Sequence, residues 1–273
     1  MEGTHICSVP PLIFFNSMAF CKNCGHQVDL KFCSHCGQKA SVKKLEMKSL
    51  LHELPHAIWH VDRGVIYNII QLFKRPGYAI KDYLDGKRKN FYHPLAYMLL
   101  VLGTMLLAMN LMQVHYYDPV QDAGMSKEKA AFWIDYDATQ QAWIHYYKFF
   151  IPFYLPWMAL LYYLWLRVMK AKYTYAECVF ISFFNSAQMT IPQIAVLALA
   201  YIINDTAFTR ISDQLINYPI LLFLYFFQFY QLGNPRLKKG LRITLSAAGA
   251  IIMLAFAFTA IFTFLWLAPK IGL

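Results

Sequence analysis

Four of the six cysteines form two Cys-x-x-Cys pairs, Cys21 with Cys24 and Cys33 with Cys36, eight residues apart and each followed by a glycine, Gly25 or Gly37. A Cys-x-x-Cys turn aims two sulfurs at one point, and a glycine in the next position can take the positive φ that brings backbone amides toward them. Two such turns make a tetrahedral site of four cysteines. Four thiolates leave no open coordination position, so the chemistry is structural rather than catalytic, and zinc is the natural occupant. The short spacer implies a compact zinc-ribbon-like hairpin of two knuckles over residues 18–40. A redox pair or an iron–sulfur cluster is the other use of such a set, and disulfides are disfavoured where thiols stay reduced. His26 and His35 read as solvated turn residues. With so few core side chains, the segment is expected to need its metal to fold.

A second motif invites a catalytic reading. His52-Glu53-Leu54-Pro55-His56 matches the zinc-protease pattern, with His60 or Asp62 as a third ligand. Pro55 lies inside the turn that would have to align both histidines, where its ring collides with the carbonyl of Leu51, so the match reads as chance. The remaining cysteines are less informative. Cys178 opens an apolar stretch and reads as a packing residue, and Cys7 lies in residues 1–17, which carry Pro10-Pro11 and no basic n-region. Translation is expected to start at Met18, next to the metal motif.

The elements that position these groups follow from composition. Hydrophobic residues make up 58% of the 273, or about 62% with glycine included, against ~45–50% for a soluble domain, and charged residues 15% against ~25%. That excludes an ordinary soluble enzyme, a disordered chain and a disulfide scaffold. A charge at mid-bilayer costs several kcal/mol, so stretches free of Asp, Glu, Lys and Arg that approach ~20 residues mark the crossings. Five occur, at 90–117, 149–166, 178–204, 214–235 and 243–269. None alternates like a strand. The expectation is an all-α polytopic bundle over 94–270 with spans near 95–114, 149–167, 178–203, 215–232 and 243–267. The second window carries Pro152 and Pro156 and the fourth is flanked by Pro219 and Pro235, so a re-entrant or interfacial helix is the alternative for those two.

Loop charge gives orientation, because cytoplasmic loops collect Lys and Arg. Of the 25 such residues, 20 fall before the first span or in the loops 167–177 and 236–242, and five on the opposite side. The amino terminus is therefore expected inside and the carboxyl terminus outside a bacterial inner membrane. The net charge of +10 lies mostly along one face, suited to anionic lipid rather than nucleic acid. The acidic stretch 118–147 is expected to be a soluble outer excursion.

Residues 41–93 read as basic, amphipathic juxtamembrane helices. Leu50, Leu51, Leu54 and Ile58 share one helical face, Val65, Ile66, Ile69, Ile70 and Phe73 another, and Arg75-Pro76-Gly77 breaks the second helix before a short third one. Lys87, Arg88 and Lys89 beside Phe91-Tyr92, with Arg75, are lipid head-group candidates. These helices are expected to lie on the inner membrane surface, the alternative being that they pack on the inner loops as a cytosolic subdomain. Within the third span, Ser182, Ser186 and Gln193 fall on one face with Asn185 alongside, and Gln188 adds a further amide. They serve either as interhelical hydrogen-bonding groups or as a polar path. Ser246-Ala247-Ala248-Gly249-Ala250 in the fifth span permits close helix approach.

With these residues in place, the chain resembles a family of bacterial multi-span membrane proteins known as a domain of unknown function with an amino-terminal double Cys-x-x-Cys element. The resemblance rests on Cys21-Lys22-Asn23-Cys24-Gly25, Phe32-Cys33-Ser34-His35-Cys36-Gly37-Gln38, His60-Val61-Asp62-Arg63-Gly64, Arg75-Pro76-Gly77 and Asp85-Gly86-Lys87-Arg88-Lys89 before His93-Pro94, over about residues 18–110. It implies a membrane protein with a cytosolic zinc element and brings no established activity. The architecture also looks like that of the Yip1 membrane proteins.

The function these readings favour is non-enzymatic: a membrane protein whose cytosolic structural zinc module and basic helices recruit or sense a cytosolic protein or anionic lipid, with self-association open. The alternative is a lipid-handling enzyme or small-solute permease, with Asn185, Gln188 and Gln193 lining a path and Lys87, Arg88 and Lys89 holding phosphate.

Overall fold

The computed structural model describes residues 19–28, 30–42 and 64–267. Cys7 and residues 1–17, the motif at 52–56 with His60 and Asp62, and the face formed by Leu50, Leu51, Leu54 and Ile58 lie outside the described residues. The first described segment holds a two-residue antiparallel pair, β1 (Ala19–Phe20) and β2 (Gln27–Val28), with Phe20 opposite Gln27. Helices follow: α1 (Gly64–Lys74), α2 (Pro76–Leu84), α3 (Pro94–Met112), α4 (Lys127–Val168), α5 (Tyr175–Ile203), α6 (Thr206–Ser212), a π-helical turn (Asp213–Asn217), α7 (Tyr218–Leu232) and α8 (Lys239–Leu267).

Five of these helical runs are long and apolar enough to cross a membrane: Pro94–Met112, Phe149–Val168, Tyr175–Ile203, Thr206–Leu232 and Lys239–Leu267. Local signals set their ends. Proline opens α3, where no amide donor is needed. Thr174 and Glu177 form a reciprocal capping box at the start of α5, with the Thr174 amide donating to the Glu177 carboxylate at 2.8 Å. The left-handed residues Gln113 and Asn204 end α3 and α5.

Two expectations change in detail. The acidic stretch is helical from Lys127 onward and runs without a break through Pro152 and Pro156, so α4 has 42 residues, about 63 Å of helix and twice the ~30 Å thickness of a hydrocarbon core. Charge content reports which solvent a segment prefers, and it says nothing of where a helix starts. The fourth crossing is also longer than the charge-free window, since α6, the π turn and α7 follow one another.

Helix α5 lies between α3 and α4, while α8 packs on α7 and α4. The amide side chains of α5 reach tyrosines on neighbouring helices: Tyr97 Oη on α3 donates to Gln188 Oε1 (3.1 Å), and Asn185 Nδ2 donates to Tyr225 Oη on α7 (3.3 Å). Tyr162 on α4 likewise donates to Gln228 on α7 at 2.8 Å. The small-residue run of α8 meets Trp165: a Cβ on Gly249 would collide with the indole, whose Nε1 donates to the carbonyl of Leu245 (3.2 Å). Outside these seams the helices expose large apolar side chains, among them Leu107, Phe153, Trp157, Ile202, Phe223, Phe262 and Trp266.

Of the two placements considered for α1 and α2, the structure shows packing against the bundle. Leu72, Ala79, Ile80 and Tyr83 are fully buried in the main core. Gly77 allows α2 to approach the carboxyl end of α7, where an added Cβ would come within 2.6 Å of the carbonyl oxygen of Gln228. Gln231 Oε1 accepts the Gly77 and Tyr78 amides there, at 2.9 and 3.0 Å. Asn68 clamps the chain before α3 by exchanging two hydrogen bonds with the backbone of Tyr92.

The opposite end is closed by a polar contact that no motif or spacing in the sequence announces. Arg210 donates to both carboxylate oxygens of Asp122 (2.8 and 3.1 Å) and to the carbonyl of Tyr116 (2.9 Å), and its guanidinium lies 5.1 Å from the Trp133 ring centroid. Thr206 Oγ1 donates to the same carboxylate, and Gln121 bridges to the backbone of Asn204 and Thr206. The Arg210 guanidinium holds the Asp122 carboxyl at about 2, below the ordinary 3.8. A depressed folded-state pKa stabilises above the unfolded value, so this contribution is complete above about pH 4 and is lost as pH falls toward 2. Asp122→Asn leaves Arg210 without its carboxylate and is expected to cost on the order of 3 kcal/mol, read as faster amide exchange over residues 113–126 with α5 unaffected.

Candidate metal centre and its junction with the bundle

Each Cys-x-x-Cys closes as the same hydrogen-bonded turn. In the first, Gly25 N donates to Cys21 O and Cys21 N to His26 O; in the second, Gly37 N donates to Cys33 O and Cys33 N to Gln38 O, all at 2.8 Å. Gly25 and Gly37 sit at φ +75° and +71°, a region a Cβ disfavours. The repeat faces its four sulfurs inward: Cys21 and Cys36 Sγ are 3.5 Å apart, as are Cys24 and Cys33, and all four lie within 4.8 Å of one another. A disulfide needs about 2.05 Å. A tetrahedral ion bonded to sulfur at about 2.3 Å sets edges of about 3.8 Å, which these separations fit.

The surroundings agree with that fit. The amide of Gln38 holds the Cys36 thiol down at about 6, whereas Cys24, drawn down by the amide of His26, is pushed up to about 12 by burial and its three neighbouring sulfurs. A cluster of thiols this close cannot ionise together without a cation. Among the described residues, Cys21, Val28 and Cys33 form the buried apolar centre of the module, a small core for a fold resting on apolar burial alone. His26 and His35 are exposed and stacked, ring centroids 4.4 Å apart. With Cys24 they form a second group within ligand reach, but it lacks the closed four-sulfur geometry.

Gln38 then fastens the module to the bundle. Its side chain is buried, donates through Nε2 to the carbonyl of Gly86 (2.9 Å), and accepts the amides of Arg88 and Lys89 at 3.0 and 3.1 Å. Gly86, at φ +103°, lies against Lys22, where a Cβ would come within 2.8 Å of that side chain. One residue thus places its amide on a ligand sulfur and its carboxamide on the loop that enters α3. Gln38 stands in the motif quoted above, yet nothing in a single sequence marks a glutamine after Cys-Gly as a clamp.

The head-group candidates are placed as follows. Arg75 and Lys87 both pair with Asp82, at 2.9 and 2.7 Å. Arg88 lies over the Tyr83 ring and donates to the Tyr83 carbonyl, and the Lys89 ammonium rests beside Gly37. All four therefore touch protein. Of the intramembrane candidates, Asn185 and Gln188 are buried in the tyrosine contacts described above, with Asn185 Oδ1, Ser186 Oγ and Gln188 Nε2 lacking a protein partner. Gln193 instead lines a separate cavity of about 250 Å³ in the other half of the bundle, with Met105, Trp143, Val196, Asn217 and Phe258.

Residues 62–106, which include α1, α2, the loop gripped by Gln38 and most of α3, match a family model described as Protein of unknown function (DUF3667). No curated protein and no solved structure matches the chain, and so none that would carry the likeness to the Yip1 proteins.

The purified full chain is expected to hold one equivalent of tightly bound metal, measured by elemental analysis, and to lose it with Cys24→Ser or Cys36→Ser. Gln38→Ala is expected to keep the metal while raising amide exchange at residues 86–89, because it removes three hydrogen bonds outside the sulfur cluster.

Proposed function

We propose that this chain is a non-enzymatic integral membrane protein that presents a structural zinc module, clamped to the inner end of a five-helix bundle, to a cytosolic protein partner. The carrying observation is the Gln38 junction: the metal module bears directly on the loop before α3, so a load on the module is a load on the bundle. A closed four-sulfur set suits zinc and a structural role. The module also turns apolar side chains to solvent, with Phe20 66%, Leu30 75% and Phe32 57% exposed, two of them directly before Cys21 and Cys33. Where such side chains adjoin, they suit contact with a protein partner. Loop charge argues for an inner bacterial membrane with the amino terminus in the cytoplasm and the carboxyl terminus outside.

Reporter fusions at the two ends should signal from opposite compartments. A photo-crosslinker at Phe32 should give an adduct of discrete mass in cells, lost with Phe20→Ser and Leu30→Ser while metal content is unchanged. Same-side reporters, or turnover of a lipid or peptide by purified protein that a point change abolishes, would contradict the proposal.

A second reading, a lipid-handling or permease path, draws on the unpartnered polar atoms of α5 and the cavity beside Gln193. Asn185→Ala with Gln193→Ala separates the two: loss of the fold supports a packing role, whereas a stable protein with lost transport supports a path.

A further inference from the structure

A pocket of about 470 Å³ opens at the same end of the bundle as the metal module, between α2, the α4–α5 turn and the α7–α8 turn. Five cations stand around it, Lys81, Lys170, Lys172, Arg236 and Arg242, against two carboxylates, Asp85 and Glu177. The Glu177 carboxylate is engaged by the Thr174 amide and hydroxyl, at 2.8 and 3.0 Å. Arg242 is committed to the Tyr230 carbonyl and lies 4.1 Å from the centroid of its ring. Among the described residues, no carboxylate pairs with Lys81, Lys170, Lys172 or Arg236. These side chains come from three segments far apart in sequence, and loop charge alone does not require them to converge on one cavity.

The backbone beneath them is built. Lys170 occupies a left-handed conformation, φ +55°, where glycine is the usual choice after a helix. Asn234 holds it there: its Nδ2 donates to the Lys170 carbonyl (3.0 Å), its amide donates to the Met169 carbonyl (3.3 Å), and its Oδ1 accepts the Arg236 amide (2.9 Å). A single asparagine thus joins the two turns and sets both Lys170 and Arg236. Close in sequence to the pocket residues Lys170 and Arg242, the helix ends expose the apolar side chains of Val168, Leu241 and Ile243.

We propose that this pocket binds the phosphate of an anionic phospholipid, with Lys81, Lys170, Lys172 and Arg236 around the head group and the acyl chains along those apolar side chains. Cationic pockets between helices at the cytoplasmic surface suit such head groups. Phosphate is the chemistry the cations share with a free anion, and the exposed apolar side chains at the helix ends favour the lipid. The proposal rests on the membrane reading above.

The test uses the full chain, purified in mild detergent and titrated with phosphatidylglycerol, phosphatidylcholine or inorganic phosphate, with binding read by native mass spectrometry. Phosphatidylglycerol should bind more tightly than phosphatidylcholine by roughly ten-fold or more, and K170Q/K172Q/R236Q should remove that preference. K74Q/K238Q/K239Q takes the same charge from the same face outside the pocket and should leave it within about two-fold. Metal content and thermal unfolding report the fold. If the triple variant is unstable, K172Q/R236Q, confined to exposed side chains, reads the same effect. Equal loss in both triple variants, equal binding of the two lipids, or inorganic phosphate displacing phosphatidylglycerol at equal concentration would overturn the proposal. Lipid binding in detergent is read separately from the reporters in cells, so failure of this site and failure of the membrane reading are told apart.

Discussion

Hydrocarbon around a helix gives its polar side chains nowhere to go but inward. Five helices here are long and apolar enough to cross a membrane and carry large apolar side chains on their outer surfaces; in such a setting association could not rely on hiding grease from water. What remains is close packing and the pairing of polar groups that the sequence places inside. The tyrosine-to-amide contacts of Tyr97 with Gln188, Tyr225 with Asn185 and Tyr162 with Gln228 do this at three helix junctions. Gly249 under Trp165 and Gly77 under the end of α7 supply the close approaches.

The same constraint governs the two ends. At one end Asp122 and Arg210 are buried together and tie the segment after α3 to the start of the fourth crossing. At the other, α1 and α2 are drawn into the core instead of remaining an independent basic segment, and they carry the loop on which the four-cysteine module sits. Arg75 and Lys87 are consumed by Asp82, Arg88 by Tyr83. The turns of α4–α5 and α7–α8 bring together Lys170, Lys172 and Arg236, which pair with no carboxylate among the described residues.

The match over residues 62–106 covers the part of the chain in which these roles meet, from α1 through the Gln38-gripped loop into α3. That region holds Asn68, Gly77 and Gly86, each serving a backbone contact: an exchange with Tyr92, the approach to α7, and the approach of Lys22. It joins the four-cysteine module to the bundle.

Spacing and composition were enough for the four clustered cysteines and the positive-φ glycines behind them, because a Cys-x-x-Cys-Gly turn is closed by local bonds. They were enough for five helices long and apolar enough to cross a membrane, because transfer to hydrocarbon is a property of each segment by itself. They did not reveal the length of α4, since helix continuity depends on backbone pairing that charge does not report. Nor could they find the partners of Gln38, Asn234 or Asp122, which lie 48 to 88 residues away, with the clamped Lys170 at 64. Such pairs exist only once packing has chosen which helix ends are neighbours, a choice made by the whole bundle at once.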